Sequence, residues 1–151
     1  MAKGPRSCLC CWPLETDVLI GGLVDLFGVL ASMYLLLHIW DSDTRDKLSG
    51  THTIEPLMYM LIASSAVFFL SAVLTFVTVC ARVSKLALVS KWVKILAILT
   101  SIAAFIIAML PKMNFVGDKI YGILVPTVLS IFYTFPLHSF RKQLAAEGLP
   151  Q

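Results

Sequence analysis

Two groups of residues have types and spacing that could do chemistry. The stretch SCLCCWPLET crowds Cys8, Cys10 and Cys11 beside a Trp-Pro pair, and a fourth thiol, Cys80, ends a later apolar run. Asp25 is a lone carboxylate inside DVLIGGLVDLFGVLASMYLLLHIW. Thiols can ligate a metal, form disulfides or carry an acyl chain. A carboxylate in an apolar run can hold a proton or cation, or hydrogen-bond between helices. A zinc site needs four ligands at workable spacing. CLCC is cramped, and His38, His52 and His138 are remote in sequence, so neither a metal nor a cofactor is expected. No HExxH, GxSxG, P-loop or dinucleotide fingerprint occurs. The expectation is a protein that is not an enzyme.

Composition fixes the setting of these residues. Of 151 residues, 58% are hydrophobic and 14% charged, against about 25% charged in an ordinary soluble domain. The mean hydropathy is +0.87. A chain this size cannot hide so much apolar surface in one core, so membrane spans are expected. Four can be read, at about 17–40, 56–80, 92–110 and 120–140, each near the roughly 20 residues that cross hydrocarbon. Period-two alternation is absent, which argues against a barrel. Pro111 and Gly117 separate the last two spans, while Pro126 and Pro136 fall within the fourth. The fold expected is all-α and integral to the membrane. It is a single domain, 1–151, forming an antiparallel four-transmembrane-helix bundle with short loops. The net charge of +3 is too small and scattered for a nucleic-acid partner.

Orientation follows from Lys and Arg. Lys3, Arg6, Arg82, Lys85, Lys91, Lys94, Arg141 and Lys142 would share one side, eight in all, against Arg45, Lys47, Lys112 and Lys119. Both termini are therefore expected in the cytoplasm. Cys8, Cys10, Cys11 and Cys80 would lie at the inner leaflet in a reducing compartment, where disulfides are disfavoured. Juxtamembrane cysteines are usual S-palmitoylation substrates. The competing reading is inert interfacial thiols. Ala2 excludes N-myristoylation.

Inside the spans, Asp17, Gly21, Asp25, Gly28 and Ser32 recur at steps of four and three, and so do Lys94, Ala97, Ser101, Ala104 and Ala108. Each set shares one helix face. Small residues allow close approach, so the first and third spans are expected to pack along these faces. Counting inward from the cytoplasmic edge places Asp25 level with Ser71, Thr75, Thr100, Ser101, Ser130 and Tyr133, a polar layer. Asp17 is expected at the interface, paired with Lys91 or Lys94. An intramembrane aspartate costs about 2.5–3.5 kcal/mol on insertion scales. Two readings stay open: interhelical hydrogen bonding, or a proton or cation site. A second intramembrane acid or a histidine, which a relay would want, is missing.

SCLCCWPLETDVLIGGLVDLFG, with a terse basic tail, resembles small insect four-span proteins whose better known members, the Pasiflora proteins, belong to septate junctions. More distantly it is similar to lysosome-associated four-span transmembrane proteins, although no Pro-Pro-x-Tyr motif is present. The match covers roughly residues 7 to 28. The resemblance implies a non-enzymatic scaffold or assembly partner at a plasma-membrane cell junction, with other membrane proteins or further copies as partners. The alternative is a small transporter, or a lysosomal or endosomal trafficking adaptor.

Overall fold

The computed structural model describes residues 14–41, 54–108 and 114–146. They form four α-helices: α1 Leu14–Trp40, α2 Ile54–Ala81, α3 Ser84–Ala108 and α4 Asn114–Ala146. Glu15 and Asp17 in the first turn of α1 complement the positive end of its dipole. Pro56 falls in the first turn of α2, where its missing N–H is not needed. At the end of α2, Arg82 takes a left-handed φ of 54° and donates its N–H to the Thr78 carbonyl over 2.8 Å. That closes the last turn as an αL cap. Only Arg82 and Val83 separate α2 from α3.

The helices pack in the cyclic order α1–α2–α3–α4–α1. Facing residues give the directions. Asp25 meets Ser71, and Gly28 faces Phe68, so α1 and α2 run antiparallel. Thr75 with Ser90, together with Ser71 and Lys94 meeting at Asp25, does the same for α2 and α3, and Lys91 with His138 and Ser101 with Thr127 for α3 and α4. α1 and α3 stand on the diagonal.

The bundle is apolar outside and polar inside at its middle. On α1, Leu23, Phe27, Leu30, Tyr34 and Leu37 are all more than half exposed, while Asp25 and Ser32 are fully buried. Water-soluble bundles do the opposite. Two apolar clusters close the ends: Leu35, Ile39, Leu57, Leu61 and Ala104 at one, and Val18, Ala87, Leu137, Phe140 and Leu144 at the other. Among the described residues, three helices are long and apolar enough to cross a membrane: Glu15–Trp40, Glu55–Ala81 and Ser84–Ile107. The apolar helices point to a membrane-embedded protein. α4, 33 residues long with Pro126 and Pro136 inside it, covers the region expected as the fourth span, residues 120–140, but is not among those three.

Two expectations need correction. Arg82–Lys94 is not a loop: α3 begins at Ser84, because SKLALVSKWVK has no breaker and its cations project from a helix already formed. The first and third spans do not pack face to face along their small residues. Gly21 lies against Tyr133 of α4, whose Cβ would be 3.1 Å from an added Cβ. Gly22 and Gly28 lie against the rings of Phe76 and Phe68 of α2. The glycines mainly admit aromatic side chains from adjacent helices; from the diagonal helix, the tip of the Lys94 side chain also reaches Gly21.

Candidate functional site: a buried charge pair in the bundle core

Asp25 and Lys94 meet across the diagonal, with Lys94 Nζ 2.7 Å from Asp25 Oδ2. Their side chains are 0% and 1% exposed. Lys94 lies ten residues into α3, about 15 Å along the axis, and Asp25 lies eleven into α1, about 16 Å. Both therefore lie well inside their helices, away from the ends.

The carboxylate is well supplied with donors. Ser71 Oγ of α2 donates to Oδ2 over 2.7 Å, and Ser130 Oγ of α4 donates to Oδ1 over 3.0 Å. Lys94 Nζ also lies 3.4 Å from the Gly21 carbonyl, one turn below Asp25 on α1. A single aspartate thus bonds to side chains from all three other helices. Removing both charges from water is expensive, and their attraction repays it only when the remaining hydrogen-bonding positions are filled. Here two serines help fill them. Removing one partner from such a pair costs about 3–5 kcal/mol, because the other charge is left alone.

Further hydroxyl pairs extend the polar middle. Thr75 Oγ1 and Ser90 Oγ are 3.0 Å apart, and Ser101 Oγ and Thr127 Oγ1 are 2.5 Å apart. Ser32 on α1 and Ser64 on α2 continue the register set by Asp25–Ser71 and Gly28–Phe68. Both hydroxyls are buried without a hydrogen-bond partner.

Of the expected polar layer, Ser71 and Ser130 reach Asp25, while Thr75 and Ser101 occupy neighbouring pairs. Thr100 does not join. Its hydroxyl turns back to the Ala97 carbonyl of its own helix at 2.9 Å, as threonines in helices commonly do. Tyr133 contributes its side chain as packing against Gly21. Ala97 and Ala104 are buried on the inner face of α3; the side chain of Ala108 lies outside the described residues. Asp17, in the first turn of α1, is buried within the bundle. Of the two lysines expected near it, Lys94 bonds to Asp25, and Lys91 Nζ lies 3.2 Å from His138 Nδ1. Ser90 and Thr127 are members of the core that sequence reasoning missed, and Lys94, read on the inner face of its span, was assigned to Asp17 rather than Asp25. Cys80 is a free, exposed thiol, whereas Cys8, Cys10 and Cys11 lie outside the described residues. Among the described residues, no three His, Cys, Asp or Glu side chains gather as metal ligands.

No family model, curated protein or solved structure matches this chain.

Proposed function

We propose that this chain is a non-enzymatic, four-span membrane scaffold whose outer helix faces assemble with other membrane proteins or further copies. The observation that carries this reading is the saturation of Asp25. Its carboxylate bonds to Lys94, Ser71 and Ser130 and is fully buried. Such a group is suited to locking four helices in one register. The bias in Lys and Arg, seven to four once the buried Lys94 is set aside, supports cytoplasmic termini. The start of α1, the Arg82–Val83 turn and the end of α4 share one end of the bundle, joined by the Val18–Ala87–Leu137 cluster. The resemblance of residues 7 to 28 makes a septate-junction complex the first assembly to test.

Transport is the competing reading, favoured by two observations. Lys94 supplies the intramembrane partner that a relay through Asp25 lacked in the sequence, and the buried hydroxyls of Ser32 and Ser64 are unpartnered. Purified chain in sealed vesicles decides between them. A scaffold gives no proton or cation flux above empty vesicles and recovers a reproducible set of neighbours by proximity labelling at its native membrane. Robust flux that is lost in Asp25→Asn vesicles containing folded protein would replace the scaffold with a transporter.

A further inference from the structure

The outer groove between α3 and α4 is lined by Ile95, Ile98, Leu99, Ile131, Thr134 and Phe135. Thr134, the one polar member, donates its hydroxyl to the Ser130 carbonyl of its own helix at 2.8 Å. The groove therefore offers little but hydrocarbon to whatever fills it. One turn beyond, towards the bundle end that holds the Arg82–Val83 turn, the surface changes character abruptly. Lys91 precedes Ile95 and Ile98 by four and seven residues on α3. His138 and Lys142 follow Ile131 and Phe135 at helical spacing on α4.

We propose that this groove and its basic rim form a binding site for an anionic phospholipid, with one acyl chain along the groove and the phosphate on Lys91, His138, Arg141 and Lys142. The pair at the rim is built to donate. An ammonium has no acceptor, so the 3.2 Å contact between Lys91 Nζ and His138 Nδ1 makes Nδ1 the acceptor. The imidazole proton then sits on Nε2, and Lys91 keeps further N–H groups for an anion. Arg141 and Lys142 are close enough for their charges to act on the same ring. On the two helices that carry the groove, residues 84–108 and 119–146 contain no Asp or Glu. Elsewhere at this end, Glu15 is already engaged with Arg82 at 2.8 Å. Basic pockets between spans on the cytoplasmic side are suited to anionic headgroups, and the cytoplasmic leaflet is the one rich in such lipids.

The site rests on the reading of these helices as membrane spans, and the two can fail separately. Chain released from vesicles by alkaline carbonate fails the membrane reading; chain that is retained but shows no lipid preference fails only the lipid site. The test is native mass spectrometry of the purified full chain, titrated with phosphatidylglycerol or phosphatidylcholine of matched acyl chains. Phosphatidylglycerol should bind about tenfold or more tightly. The preference should be lost in K91Q/R141Q/K142Q and kept in R82Q/K85Q, which removes cations at the same end away from the groove. R141Q/K142Q, which spares the Lys91–His138 contact, should lose most of it if the triple variant does not fold. Ile98→Trp should weaken binding by filling the groove, and millimolar glycerophosphate should not compete. Equal binding of the two lipids, equal loss in R82Q/K85Q, or displacement by glycerophosphate would overturn the proposal.

Discussion

Lys94 Nζ and Asp25 Oδ2 lie 2.7 Å apart on diagonally opposed helices, so this pair bonds directly across the bundle's diagonal. Adjacent helices meet through side chains fitted against glycines, paired hydroxyls and the Ser71 and Ser130 hydrogen bonds to Asp25. The pair also changes what a neutralising mutation means. In an isolated carboxylate, Asp25→Asn would preserve shape and hydrogen bonding. With Lys94 fully buried beside it, the same change leaves an ammonium without its counter-charge.

The glycines of α1 yield a prediction about packing. An added Cβ at Gly28 would lie 3.1–3.2 Å from three ring carbons of Phe68, which is itself fully buried. Gly28→Ala should therefore destabilise the bundle by about 1–3 kcal/mol through overpacking, measured by denaturation in mixed micelles. Phe68→Leu should recover part of that loss when combined with it, although it is costly alone. Purely additive effects would mean that the ring does not fill the Gly28 notch.

Topology is testable with acceptor sites for N-glycosylation, none of which the natural sequence supplies. Acceptors carried on spacers within residues 42–53 should be modified. Those appended to either terminus should not. The reverse pattern would invert the bundle and move Cys80 to the outer face.

Acylation is expected on at least one of Cys8, Cys10 and Cys11. Three helices are already long and apolar enough to cross a bilayer, so an acyl group, worth about 0.8 kcal/mol per buried methylene, would bias helix tilt or membrane sorting rather than anchoring. Hydroxylamine-dependent acyl exchange should label the wild type and vanish when all three become Ser. Labelling that persists moves the modification to Cys80, which is exposed. No labelling of the wild type would leave the cluster as interfacial packing.

Much of this core was legible in the sequence. The four-and-three spacing of Gly21, Asp25, Gly28 and Ser32 identifies the inward face of α1, and depth counting pairs Asp25 with Ser71 and Ser130. Lys94 was hidden by one boundary. With the third span starting at Trp92, Lys94 reads as an interfacial residue; with α3 starting at Ser84, it stands level with Asp25. Charged residues at a helix start do not mark the membrane edge when the helix extends beyond it. Ser90 was lost to the same shift. The misassigned partner of the α1 glycines has another cause: small residues signal close approach but not the identity of what approaches. Here it is Phe68, Phe76 and Tyr133. Thr100 and Ser101 are neighbours in sequence, yet their faces differ by about 100°, and only Ser101 reaches another helix.

The central claim is that Asp25 and Lys94 act as one unit that holds the bundle together. A double-mutant cycle of unfolding free energy in bilayer-mimicking micelles measures it directly, using Asp25→Asn, Lys94→Gln and the two together. Each single variant should lose about 3–5 kcal/mol, because a charge is left buried and unpaired. The double variant should be more stable than either, giving a coupling above about 1 kcal/mol. Single variants that unfold like the wild type, or losses that simply add, would contradict the account.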